Sequence, residues 1–196
     1  MLLLCAAVMV GARGADAHHG PDSMFKTANY NPDCKDGGMG DTYCQTDNDF
    51  LRVFRESSLS SAWMNMVAFA LVEFDRDTDL RVKYDSAPTY SGSSETDIID
   101  QVGSIPFEGL IGIAWCNDAV STLRCDQHYV RLSPNASVNY ELVCHETGHA
   151  VGLTHPDDAH PRSAPDGIVY GCMRTLVPLA NETLRQHNEF MINITY

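Results

Sequence analysis

Basic residues are scarce in this chain. Thirteen Lys and Arg stand against 26 Asp and Glu, a formal net charge of −13. No strongly basic patch is present, which argues against nucleic acid or an anionic membrane surface as a partner. Long apolar runs are missing too. The stretch from Leu2 to Val10 falls well short of the roughly 20 residues that span a bilayer. No C-x-x-C pair occurs, which removes the usual framework for a second zinc site built from cysteines. Internal repeats are absent. With 196 residues, the chain can bury one proper core and is too short to argue for two domains.

The eleven residues His145-Glu-Thr-Gly-His149-Ala-Val-Gly152-Leu-Thr-His155 supply the chemistry. Positions four apart lie on one face of a helix, so His145 and His149 can reach one ion together. Glu146 stands beside them, where it can hold an attacking water. His155 cannot join if the helix continues, because ten further residues leave it about 80° out of phase. Gly152 removes that obstacle: it can adopt φ > 0, end the helix and turn the chain back. Three imidazoles with a fourth position left open make a catalytic zinc site rather than a structural one. Such an eleven-residue match arises by chance in roughly four of 100,000 chains of this kind, so the pattern outweighs a bare HExxH.

Residues 1–17 read as a secretory signal, with an apolar stretch from Leu2 to Val10 and an A-x-A cleavage site at Ala15-Asp16-Ala17. Its basic n-region is missing, which leaves room for a start upstream. Removal of Cys5 with the signal leaves six cysteines, an even number that suits three disulfides in an exported protein. Short loops favour Cys34–Cys44 and Cys116–Cys125. Cys144 and Cys172 then remain as a pair that would tie the zinc helix to the segment beneath the metal.

Residues 18–49 read as an irregular N-terminal segment, and 50–196 as the catalytic domain. Leu51–Phe54 reads as a short strand or helical turn. A helix is expected over Ala62–Phe74, capped from Ser57–Ser61, with Trp63, Met66, Val67, Ala70, Leu71 and Phe74 on its buried face. Strands are expected at Leu80–Tyr84, Asp97–Val102, Gly109–Trp115 and His128–Leu132. The zinc helix should span Val138–Val151, a loop 156–171, and a last amphipathic helix Asn181–Phe190. This order gives an α+β fold in which a twisted mixed sheet packs on two helices, with a small C-terminal helical part. Peptide would bind by adding a strand to the sheet edge, against a pocket wall expected from residues 157–172.

The run His145–His155 followed by Met173 resembles the metzincin clan of zinc endopeptidases, whose signature is HExxHxxGxxH plus a downstream Met-turn. Cys144 before the motif, the Cys172-Met173 pair and the ending from His187-Asn188 to Ile192-Asn193 are similar to small secreted matrixin-like proteases of actinobacteria. The resemblance implies a metzincin-like zincin fold. It implies one catalytic Zn2+ held by His145, His149 and His155, with Glu146 as general base and Met173 in a turn under the metal. It further implies a secreted endopeptidase acting on a protein or peptide substrate, expected as a monomer with no stable membrane association. Pro156 follows the third His as in serralysins, where matrixins usually have Ser. Thr175 stands where astacins and serralysins carry a Tyr ligand, and Tyr170 is the nearest substitute. Calcium sites are not recognisable: Asp75-Arg-Asp77-Thr-Asp79 lacks the Gly and closing Glu of a calcium loop and reads as a solvated acidic loop. Rival third ligands are His160, Asp157 or Asp158, and Glu182 or Glu189. A non-catalytic zinc- and peptide-binding module is the alternative function.

Overall fold

The computed structural model describes residues 20–175 and 182–196. The signal segment 1–17, with His18 and His19, therefore lies outside the described residues. None of the described helices is long and apolar enough to cross a membrane.

Six strands form one sheet: β1 (Gln45–Thr46), β2 (Phe50–Arg55), β3 (Arg81–Tyr84), β4 (Ile98–Val102), β5 (Gly112–Ala119) and β6 (Arg124–Leu132). The pairs β1–β6, β2–β3, β2–β4 and β4–β6 are parallel, while β5 lies antiparallel on β6. Helices α1 (Ser61–Asp77) and α2 (Tyr140–Ala150) supply the apolar layer against which Leu51, Val53, Ile98, Val130 and Leu132 are buried. The architecture is mixed α+β with a largely parallel sheet and few helices.

Helix α1 begins where the serines allow it. The Ser60 side chain accepts the N–H of Trp63, satisfying one of the free donors of the first turn. Trp63, Val67, Ala70, Leu71 and Phe74 are buried at helical spacing, and Met66 packs half-buried at the margin. The helix runs to Asp77, past the expected Phe74, until Thr78 Oγ1 donates to the Phe74 carbonyl at 2.6 Å. Asp75 and Asp77 are thus helical rather than parts of an acidic loop. Asp75 accepts the Val82 N–H, and Asp77 pairs with Arg76.

Three other boundaries differ from expectation. Strands β5 and β6 extend toward each other into one hairpin, and Cys116–Cys125 crosslinks them across a stretch whose polar residues alone suggest loop. The last helix, α3, spans Gln186–Asn193 and not Asn181–Phe190. The chain before it is held extended: Glu73 accepts the Leu184 N–H, and the Thr183 carbonyl accepts from Cys172. The expected loop 156–171 ends in a 3-10 turn at Ile168–Met173.

Asp100 in β4 has both carboxylate oxygens buried with no hydrogen-bond partner among the described residues. Burial pushes its carboxyl up to about 7, with Arg55 opposing. The folded protein therefore keeps this proton until about pH 7, whereas an unfolded chain releases it near pH 4. Stability contributed by neutral Asp100 is present at low pH and is lost as pH rises through about 7. Asp100→Asn should remove that loss, gaining about 2–3 kcal/mol over the parent between pH 5 and pH 8. Denaturant midpoints at both pH values check this; parallel profiles for parent and variant would refute it.

Candidate functional site

Helix α2 opens at Asn139, whose side chain accepts the Leu142 N–H at 2.8 Å. It closes in a Schellman motif: Gly152 N–H reaches the His149 carbonyl at 2.9 Å and Leu153 N–H the Gly148 carbonyl at 2.8 Å. Gly152 carries φ 96°, a conformation that side chains with a Cβ disfavour. A Cβ there would also sit 2.9 Å from Met24 Sδ and 3.0 Å from Gln45 Cα. The turn carries the chain back and places His155 against the helix.

The three imidazoles converge. Their Nε2 atoms lie 3.0 to 3.1 Å apart in every pairing. His145 Nδ1 donates to the Cys172 carbonyl at 2.7 Å, and His149 Nδ1 donates to the Leu153 carbonyl at 2.8 Å. His155 Nδ1 lies 3.9 Å from the Asp158 carboxylate. With the protons of His145 and His149 held at Nδ1, their Nε2 atoms present lone pairs to each other and to His155. Burial depresses all three pKa values, with neighbouring rings adding to the effect at His149 and at His155, which falls to about 3, so the rings are neutral at physiological pH. Converging lone pairs repel unless a cation lies among them. A tetrahedral zinc with Zn–N bonds of about 2.0–2.1 Å sets its nitrogens about 3.3 Å apart, close to the spacing found. The donor set fits zinc.

Glu146 is 4% exposed, and burial pushes its carboxyl up to about 8. Its side chain lies against Gly112 at the start of β5, where a Cβ would overlap its carboxylate. Met173 is fully buried under the helix, its Sδ occupying the space a Cβ on Gly148 would need. A disulfide joins Cys144 to Cys172, so the residue before His145 is covalently tied to the residue whose carbonyl orients its ring. Cys34–Cys44 and Cys116–Cys125 complete the three bridges.

The rival ligands lie apart from this cluster, Asp157 and Asp158 excepted. Those two carboxylates neighbour His155 alone. His160 bridges to Asp22, and Glu182 is ion-paired with Arg174 and Arg185. Tyr170 donates to Ser163 Oγ at 2.9 Å. His128 is buried in β6, accepting the Cys44 N–H, and His187 meets Ser23.

The cleft walls came from an unexpected part of the chain. A cavity of about 470 Å³ over the histidines is lined by Tyr30 and Tyr43 from the N-terminal segment, by Phe107 and Leu110 from the stretch leading into β5, and by Ala114 within it. Residues 157–172 do not line it. On the other side of the histidines Cys172, from that expected stretch, joins Leu142, Arg174 and Thr175 as lining. The Tyr43 ring stacks on His149 with centroids 4.2 Å apart, and Tyr30 stacks on Tyr43 at 5.5 Å. The N-terminal segment is anchored by hydrogen bonds from Thr27 to the Asp158 carbonyl and from Asn29 to the Ala159 carbonyl. Sequence reasoning missed both tyrosines, since no local pattern links a tyrosine in an irregular segment to a motif so far along the chain.

Carboxylates do converge elsewhere. Asp47, Asp97 and Asp126 come together at one end of the sheet, with Glu95 lining the same pocket. Burial and mutual repulsion push Asp97 up to about 8 and Glu95 to about 7.

No family model matches this chain, and neither does any curated protein. Among solved structures it is similar to high choriolytic enzyme 1, a hatching enzyme zinc-protease from Oryzias latipes, the medaka fish. That likeness has 14% identity and a TM-score of 0.39, over 64% of this chain and 55% of that one. The chain thus matches about half the length of that enzyme.

Proposed function

We propose that this chain is a secreted zinc-dependent endopeptidase of the metzincin kind. The observation that carries the reading is the meeting of three neutral imidazoles with a buried carboxylate at the floor of a cleft beside strand β5. His145, His149 and His155 would hold the zinc, which when bound acidifies a water and polarises a carbonyl. The Cys172 and Leu153 carbonyls keep two of the rings turned inward, so little reorganisation is needed.

Glu146 acts as the base, taking a proton from water and returning it to the departing amine. Its burial suits that task, because a carboxyl held above its usual range accepts and releases protons near neutral pH. The cleft is open along β5, where Ala114 directs its backbone N–H and C=O to the same side as Cys116. An extended peptide can pair there as an added strand. Three disulfides suit export.

The alternative, a zinc- and peptide-binding module without catalysis, is separated by a direct assay. Incubation with a reduced, unfolded protein should generate new internal amino termini, detected by mass spectrometry. If zinc-loaded protein leaves the substrate intact, the endopeptidase reading fails.

A further inference from the structure

Residues 20–44 form a strap that reaches the edge of the sheet as well as the end of α2. The Thr42 carbonyl accepts the N–H of Cys116 at 2.9 Å, and Asp36 accepts that of Ala119 at 2.7 Å. The strap thus covers the outer edge of β5 from Cys116 onward and leaves the stretch from Gly112 to Trp115 for an added strand. A peptide lying along β5 meets the strap on the His149 side of the metal site. The Phe107 ring rests on Gly40, so a Cβ at that glycine would overlap it. This contact joins the strap to the opposite wall and turns the cleft there into a pocket.

The pocket has a distinct chemistry. Tyr30, Phe107 and Leu110 give it apolar sides, while Asp41 and Glu108 supply carboxylates, and no Lys or Arg is among its lining residues. Lys35 approaches Asp41 only at 3.8 Å, with side chains 65% and 42% exposed, an arrangement that offsets little of the charge. With a net charge of −13 on the whole chain, an acidic side chain is repelled and an uncharged one gains nothing from the carboxylates.

We propose that this strap-walled pocket is a specificity subsite for a lysine or arginine side chain of the peptide. The alkyl stem lies against Tyr30, Phe107 and Leu110, and the cation lies by Asp41 and Glu108. Since Asp41 and Glu108 are exposed, the preference over an isosteric neutral side chain should be about five- to tenfold rather than thousands. The inference rests on the cleft being a peptide-binding site.

The test compares peptides that differ only by lysine or norleucine, placed in turn at each position flanking the bond cut in an unfolded protein. The zinc-loaded parent should favour lysine about five- to tenfold through KM at one position on one side of the bond only. Glu108→Gln and Asp41→Asn should each narrow the lysine–norleucine gap; Asn keeps an acceptor for the Gly38 N–H that Asp41 now binds. Equal use of the two peptides, or a preference for norleucine, overturns the subsite while leaving the endopeptidase reading intact. Absence of any cleavage overturns the endopeptidase reading instead. The subsite is then decided by fluorescence anisotropy of the same labelled peptides on zinc-loaded protein. Tighter lysine binding that Glu108→Gln weakens supports it, and indifference to the charge refutes it.

Discussion

Glu146→Ala is expected to keep its zinc and to cut peptide bonds about 10³–10⁴ times more slowly than the parent. The two properties separate because, in the proposed site, imidazoles alone would hold the metal. His145 and His149 are oriented by the Cys172 and Leu153 carbonyls, and neither bond involves Glu146. The carboxylate is packed between α2 and the start of β5, so its loss removes the proton acceptor without opening the ligand cage. Truncation also relieves a buried carboxyl, and the variant should fold at least as well as the parent. Steady-state cleavage rates alongside metal content check both halves. A variant that cuts like the parent would move the base elsewhere, with Asp158 the nearest carboxylate to His155.

Gly152→Ala should damage both the fold and the histidine cluster. Positive φ at a residue with a Cβ costs about 1–2 kcal/mol. The added methyl would also press on Gln45 Cα at 3.0 Å and Met24 Sδ at 2.9 Å. Methionine can move aside, but the Gln45 backbone belongs to β1 and is paired to β6. A total loss of about 2–4 kcal/mol follows. Relief by unwinding the Schellman turn would swing His155 away, so zinc affinity should fall along with stability. Thermal unfolding and competitive zinc titration measure the two effects. If both matched the parent, the turn would not be what positions the third ligand.

The convergence of the three histidines was legible in the sequence because its parts are local. Spacing of four on a helix, a glycine and a histidine three residues later specify a geometry within eleven residues. The long apolar face of α1 was legible for the same reason. Its extension to Asp77 was not, since the Thr78 cap and the Asp75–Val82 contact depend on where β3 lies. The late start of α3 reflects Glu73 and Cys172 capturing residues 183–184 from other elements.

The strap was illegible for a deeper reason. Composition marks residues 18–49 as irregular, yet irregular backbone can be fully ordered when its hydrogen bonds end on distant carbonyls such as those of Gly152, Asp158 and Ala159. Tyr43 stacking on His149 belongs to this class. So does the carboxylate group at Asp47, Glu95, Asp97 and Asp126. A contiguous acidic run such as 75–79 shows in a sequence, whereas these residues converge from separate segments.

Titration of metal-stripped protein with zinc, scored by recovered cleavage of an unfolded protein, bears most directly on the whole account. Activity should be absent without metal, rise linearly with added zinc and level off at one ion per chain, and His155→Ala should not recover at the same concentrations. Full cleavage by the stripped protein, or recovery of His155→Ala alongside the parent, would contradict it.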